Sequence, residues 1–138
     1  MESYRVKAEK IIGTNYKEVL KKARHFYSKL CSTTKRKPYI RSNYFRKEKI
    51  FLDLFWAHLY EKKSRRDRIR RLKFLPCAIE LIQVTTSIPS SKINPNHSSE
   101  KLHRFMGLTK ESEQFCVQIK ESINSNKKKW FISVFPFD

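Results

Sequence analysis

Phe115-Cys116-Val117-Gln118-Ile119-Lys120 and, after a polar join, Trp130-Phe131-Ile132-Ser133-Val134 decide the fold class. Both runs are rich in β-branched and aromatic residues and alternate in character, the pattern of a half-buried strand. In the first, Phe115, Val117 and Ile119 share a core face while Gln118 and Lys120 point outward. In the second, strict alternation buries Trp130, Ile132 and Val134 and turns Ser133 out. Working back, Leu102 to Leu108 has the same character. Three strands joined by short polar segments at 109–114 and 122–129 predict an antiparallel meander with an apolar face that needs helices against it.

The helices are expected upstream. Val19, Leu20, Ala23, Phe26, Tyr27 and Leu30 recur at helical spacing between about Asn15 and Leu30, with lysines and Arg24 opposite. A basic linker, Cys31 to Arg41, closes on Lys37-Pro38. Ile50, Phe51, Leu54, Phe55, Trp56 and Leu59 predict a broad-faced helix from about Tyr44 to Tyr60. Ser64-Arg65-Arg66-Asp67 matches a capping box and starts a third helix, which Pro76 should kink or end. Cys77 to Ile82 reads as resumed helix or as strand, since six apolar-rich residues do not separate the two by period. Thr85 to Glu100, rich in Ser, Thr, Asn and Pro, reads as a long loop. The expected architecture is α+β, with N-terminal helices packed on a C-terminal three- to four-stranded antiparallel sheet. A single domain spans 1–138: a basic N-terminal helix and linker (1–42), core helices (43–84), a long loop (85–100) and the sheet (101–136).

Of the 138 residues, 31 are Lys or Arg and 13 are Asp or Glu, giving a net charge of +18. Divided at Ser42 and Val84, the first two thirds hold most of that excess. Such a field calls for a counter-charged partner: nucleic acid, an anionic membrane surface or an acidic protein. The apolar residues of the basic helices are patterned for a protein core, which argues against the membrane surface. Cys31, Cys77 and Cys116 are far apart and odd in number, so neither zinc nor a disulfide framework is expected. No apolar run reaches the ~20 residues of a bilayer span, and the first residues carry no apolar signal segment; the expectation is a cytoplasmic protein without membrane association. No glycine-rich phosphate loop exists, which argues against nucleotide triphosphatases. No cofactor is expected.

Two constellations could carry chemistry. Lys62 to Lys73 holds eight basic residues and one acidic. On a helix, Arg65 and Arg68 share one face and Arg66, Arg70 and Lys73 another; with Arg71, these are the candidate nucleic-acid-binding residues, because guanidinium forks fit phosphate oxygens. Alternatively they form a solvated charged face. On the strands, Lys101, His103 and Phe105 share one side and Leu102, Arg104 and Met106 the other. With the apolar side buried, His103 would join Lys120 and Ser133 on an open surface; a one-residue slip would substitute Arg104. Metal-free RNA cleavage needs a base for the 2′-hydroxyl proton, an acid for the leaving oxygen and cations for the phosphorane charge. His25, His58 and His97 read as ordinary helix or loop histidines, and Glu80 as an isolated acid at a helix surface.

From about Ser42 to Pro136 the chain resembles a group of small bacterial and phage-associated proteins. The matching stretches are Phe51 to His58, Arg65 to Phe74, Cys77 to Ile82, Leu102 to Phe105, Gln118 to Glu121 and Phe131 to Pro136. That group is associated with the barnase, EndoU, colicin and RelE-like (BECR) nuclease superfamily. The resemblance implies a metal-independent, toxin-type ribonuclease leaving a cyclic phosphate, with Arg68 and Arg71 on the helix, His103 or Arg104, Lys120 and Ser133 as site residues. Glu121 alternates toward the core side, so a glutamate base there would be buried and His103 or Lys120 would have to serve.

The functional expectation is therefore an endoribonuclease-like domain. In it His103 transfers protons, Arg104 and Lys120 stabilise charge, Ser133 orients the phosphate, and the basic helix holds the backbone. The rival is a non-catalytic basic protein binding RNA or DNA, RNA ahead of DNA. An acidic antitoxin or immunity protein is a fitting partner for either.

Overall fold

The computed structural model describes residues 3–124 and 126–137. Along the chain run β1 (Tyr4–Arg5), α1 (Tyr16–Cys31), β2 (Tyr39–Ser42), β3 (Glu48–Phe51), α2 (Phe55–Tyr60), α3 (Arg65–Lys73), α4 (Leu75–Val84), β4 (Ser90–Asn94), β5 (His97–Leu108), β6 (Gln114–Ser122) and β7 (Lys129–Pro136). The strands form one seven-stranded sheet in the order β1-β5-β6-β7-β3-β2, with β4 also on β5. β1 lies parallel to β5 and β3 parallel to β7; the other pairings are antiparallel. The α+β class stands, but the expected three- to four-stranded antiparallel sheet is replaced by a mixed sheet curled into a half-barrel.

Each added strand has a physical reason for escaping a pattern search. Glu48–Phe51 was expected inside a helix because its apolar residues fit helical spacing. Arg46 and Lys47 instead adopt positive φ (56° and 67°), which a right-handed helix does not contain. The turn they make sends β3 back along β2. β4 lies almost wholly exposed, so no buried face imposes an alternation; it is held by main-chain pairing to β5, and the expected long loop is a hairpin. β1 is two residues long and depends on a clasp from elsewhere. Glu80 on α4 provides it, accepting hydrogen bonds from Tyr4 Oη, Lys7 N and Ala8 N, each at 2.8 Å. Burial pushes the Glu80 pKa up, but these donors outweigh it and the pKa is lowered.

The helices form where capping and period agree. Asn15 caps α1 by accepting from Glu18 N, and Ser64 caps α3 by accepting from Asp67 N. Asp67 then turns forward to Arg71 rather than back to the cap. Pro76 sits in the first turn of α4, where its missing N–H costs nothing. One contiguous core joins Val19 and Ala23 of α1, Leu72 of α3, and Leu75, Ala78, Leu81 and Ile82 of α4 to Phe105, Phe115, Val117, Ile119, Phe131 and Val134 of the sheet. Each fully buried Leu or Phe contributes about 1.5–3 kcal/mol of transfer free energy. α2 and α3 pack against β7, beyond the two residues where β3 pairs with it. That placement leaves the opposite, outer face of β5–β7 open beside them.

Candidate functional site

Strand register assembles the floor of an outer cleft. Arg104 on β5 lies opposite Gln118 on β6, and Gln118 opposite Ser133 on β7. Lys120, two residues from Gln118, shares their face. His58 of α2, Lys62 of the α2–α3 connection and Arg71 of α3 line one wall; Asn94, Asn96 and His97 line the other from the β4–β5 turn, enclosing about 580 Å³.

Two arginines arrive from different elements. Arg71 Nη1 donates to Ser133 Oγ at 2.9 Å and its Nε to Asp67 at 3.2 Å. Arg104 Nε donates to Gln118 Oε1 at 3.0 Å. Both guanidiniums lie over the Phe135 ring, at 5.4 and 5.8 Å from its centroid, a cation–π arrangement that holds two like charges near each other. Further along the floor, Lys120 Nζ is 3.4 Å from Glu100 and 5.1 Å from the Trp130 ring centroid. The cleft thus offers several forked or mobile N–H donors, one carboxylate and two imidazoles to a polyanion.

Of the expected catalytic group, Arg104, Lys120 and Ser133 share this floor. His103 does not, and the expectation that it joins them on an open surface is corrected. Phe105 is 2 % exposed and packs in the core, so His103, two residues away, faces the same inner side and only 5 % of it is exposed. The alternative register with Arg104 on the open face is the one adopted. A bulge between Gln118 and Ile119 changes parity on β7: Ile119 faces Phe131 while Gln118 faces Ser133, leaving Ile132 as the extra residue. Strict alternation therefore fails at Trp130, which shares the outer face with Lys120 while Phe131 fills the core.

His103 belongs to a polar ladder crossing five strands. Ser91 Oγ is 2.7 Å from His103 Nδ1, and His103 Nε2 is 2.7 Å from Glu121. Glu121 is 3.9 Å from Lys129 Nζ, which is 2.5 Å from Glu48. Desolvation lowers the His103 pKa from 6.5, aided by Lys101 and Lys129 and opposed by Glu121. In the neutral ring, Nε2 carries the hydrogen because Glu121 only accepts, and Nδ1 accepts from Ser91. Glu121 is on the core side, as its alternation implied. Beside the ladder lies a shallow inner cleft of about 610 Å³, lined by Tyr44, Phe45, Lys101 and Lys127 among others.

The basic helix divides its labour. Arg71 enters the cleft. Arg68 closes the end of α2, donating to the carbonyls of Lys62 (2.7 Å) and Tyr60 (2.9 Å). Arg65 lies over Tyr16 at 5.7 Å. Arg66 and Arg70 are exposed, and Lys73 is partly buried with its carbonyl accepting from Ile11 N. Phe135, Glu100, His58 and His97 were not expected in a site. No local pattern marks them, because they come together only through the β4–β5 hairpin and the packing of α2 and α3 on β7.

No protein-family model matches the chain, and neither a curated protein nor a solved structure matches it. Among the described residues, no group of three or more His, Cys, Asp or Glu is placed to hold a metal ion. No helix among them is long and apolar enough to cross a membrane.

Proposed function

We propose that this chain binds RNA in the outer cleft, with Arg71 and Arg104 gripping the sugar–phosphate backbone. The observation that carries this is the convergence of those two guanidiniums on Phe135 above Ser133 and Gln118. Guanidinium forks pair bidentately with phosphate oxygens, an aromatic ring accepts a base face, and Ser133 and Gln118 supply neutral hydrogen-bonding groups. Lys63, just before α3, and Arg66 and Arg70 on it extend the positive field, which steers a polyanion without reading its sequence. The same field suits an acidic neutralising protein.

A catalytic reading, the metal-independent endoribonuclease implied by the resemblance, is favoured by Glu100 and His97 lining the same cleft. In that reading Glu100, beside Lys120, takes the 2′-hydroxyl proton as its oxygen attacks the adjacent phosphorus. His97 protonates the departing 5′-oxygen. Arg71, Arg104 and Lys120 hold the phosphorane charge, and a 2′,3′-cyclic phosphate results. His103, on the inner side, takes no part.

Incubation with total RNA in EDTA tests both. Cleavage abolished by Glu100→Gln and by Arg71→Met/Arg104→Met supports the ribonuclease. RNA retained intact by wild type and released by the double variant supports binding alone. RNA neither bound nor cut refutes the proposal.

A further inference from the structure

The outer face of the sheet carries a second feature, continuous with the cleft. Tyr39 on β2 lies opposite Phe51 on β3, Phe51 opposite Trp130 on β7, and Trp130 opposite Lys120 on β6. Directly paired residues leave the same face of a sheet, so three aromatic rings form a row that ends at a residue of the cleft floor. Ring centroids are 6.2 Å apart for Tyr39 and Phe51 and 6.4 Å apart for Phe51 and Trp130. All three side chains are partly exposed.

Tyr39 and Phe51 meet edge-to-face and Phe51 and Trp130 are tilted to each other, and each ring also has a cation near it. Lys49 and Arg41 lie 4.7 and 5.4 Å from the Tyr39 centroid, Lys128 5.8 Å from Phe51, and Lys120 5.1 Å from Trp130. A row of this kind stabilises the sheet through cross-strand contacts, but sheet packing alone calls for no cation at each step. An extended partner with alternating anionic and flat aromatic groups would meet both halves of the pattern. A phosphate draws the ammonium or guanidinium aside, and the ring face it uncovers accepts a base.

We propose that Tyr39, Phe51 and Trp130 form a base-stacking track for single-stranded RNA, with Arg41, Lys49, Lys128 and Lys120 on its phosphates and the strand continuing over Lys120 into the outer cleft. The track rests on the RNA reading of that cleft. Ring spacing selects a single strand: it is nearly twice the ~3.4 Å rise per nucleotide of a B-form DNA strand. Bases meeting successive rings must therefore be unstacked from one another, which base pairing resists. Stacking on three rings discriminates little among bases, so the track adds affinity and strand selectivity without sequence preference.

The test is fluorescence anisotropy with a labelled oligouridylate, an abasic oligomer of the same length and an RNA duplex. Tyr39 sits on an edge strand, so Tyr39→Ser is the least disruptive change. It is expected to weaken oligouridylate binding at least about fivefold while leaving the abasic oligomer unchanged. In a Trp56→Phe background, Trp130 emission should respond to oligouridylate and not to the abasic oligomer, which keeps the test decisive if Tyr39→Ser loosens the fold. Unchanged oligouridylate affinity in Tyr39→Ser with an unresponsive Trp130, or a duplex bound as tightly as the single strand, would overturn the track. If Arg71→Met/Arg104→Met then still loses binding, the cleft reading survives without it. Should wild type bind none of the probes, the cleft reading falls and the track with it.

Discussion

Replacing Arg71 and Arg104 together by Met removes both guanidiniums from the outer cleft while keeping side-chain bulk against Phe135. Four basic residues line that cleft: Lys62, Arg71, Arg104 and Lys120. For single strands each neutralised phosphate contributes about −0.7 to the slope of log K against log[salt], so these four account for about −2.8 and the double variant for about −1.4. Between about 50 and 200 mM salt, the cleft's share of wild-type affinity then falls roughly 50-fold and that of the variant roughly 7-fold. The difference in slope is the diagnostic, because cations elsewhere add equally to both proteins. Structural damage should be limited: Arg71 gives up hydrogen bonds to Ser133 and Asp67, and neither of those partners is fully buried. The two bonds are worth about 1–3 kcal/mol each, and circular dichroism would confirm that the fold persists. Anisotropy titrations across the salt range read the slope directly. A double variant with the wild-type slope would refute the placement of phosphates on Arg71 and Arg104, however much its absolute affinity had changed.

Two further outcomes concern the inner ladder. His103 has a lowered pKa in the folded protein, below the 6.5 of an unperturbed imidazole. The unfolded chain therefore binds the extra proton first as pH falls. This contribution to stability is complete above about pH 6.5 and is lost below it, at up to about 1.4 kcal/mol per pH unit. Urea denaturation at a series of pH values should show His103→Gln with a flatter profile in that window, and parallel profiles would sink the assignment. Lys129, 5 % exposed between Glu48 and Glu121, should cost about 3–5 kcal/mol when replaced by Met, because Glu121 is left partly buried without its cation. Adding Glu121→Gln should recover much of that loss; a single variant as stable as wild type would refute the pairing.

Much of the secondary structure was legible because local signals agreed. The Ser64 cap, the 3.6-residue period of α1 and the position of Pro76 each act within a few residues. Likewise the alternation along β6 follows from one buried and one open face, whereas the bulge on β7 breaks it there. The candidate site was legible in part: Arg71, Arg104, Lys120 and Ser133 were named and share the cleft. His103 was placed on the wrong face because the β5 sequence is amphipathic on both sides, Phe105 against Leu102 and Met106. Local pattern does not choose between them.

Residue types and spacing by themselves determined the class, the large positive charge, the basic helix and the three-stranded meander, since these follow from composition and from periods of two or 3.6 residues. Tertiary structure decided the rest. β1, β2 and β3 are short and β4 is exposed, so their pairing energy comes from hydrogen bonds to distant strands rather than from their own side chains. The bulge at Ile132 and the choice of face at His103 depend on which side α4 covers. The alignment of Tyr39, Phe51 and Trp130 needs three separate strand registers at once. Such features are set by contacts far apart in the chain, and a local pattern carries no record of them.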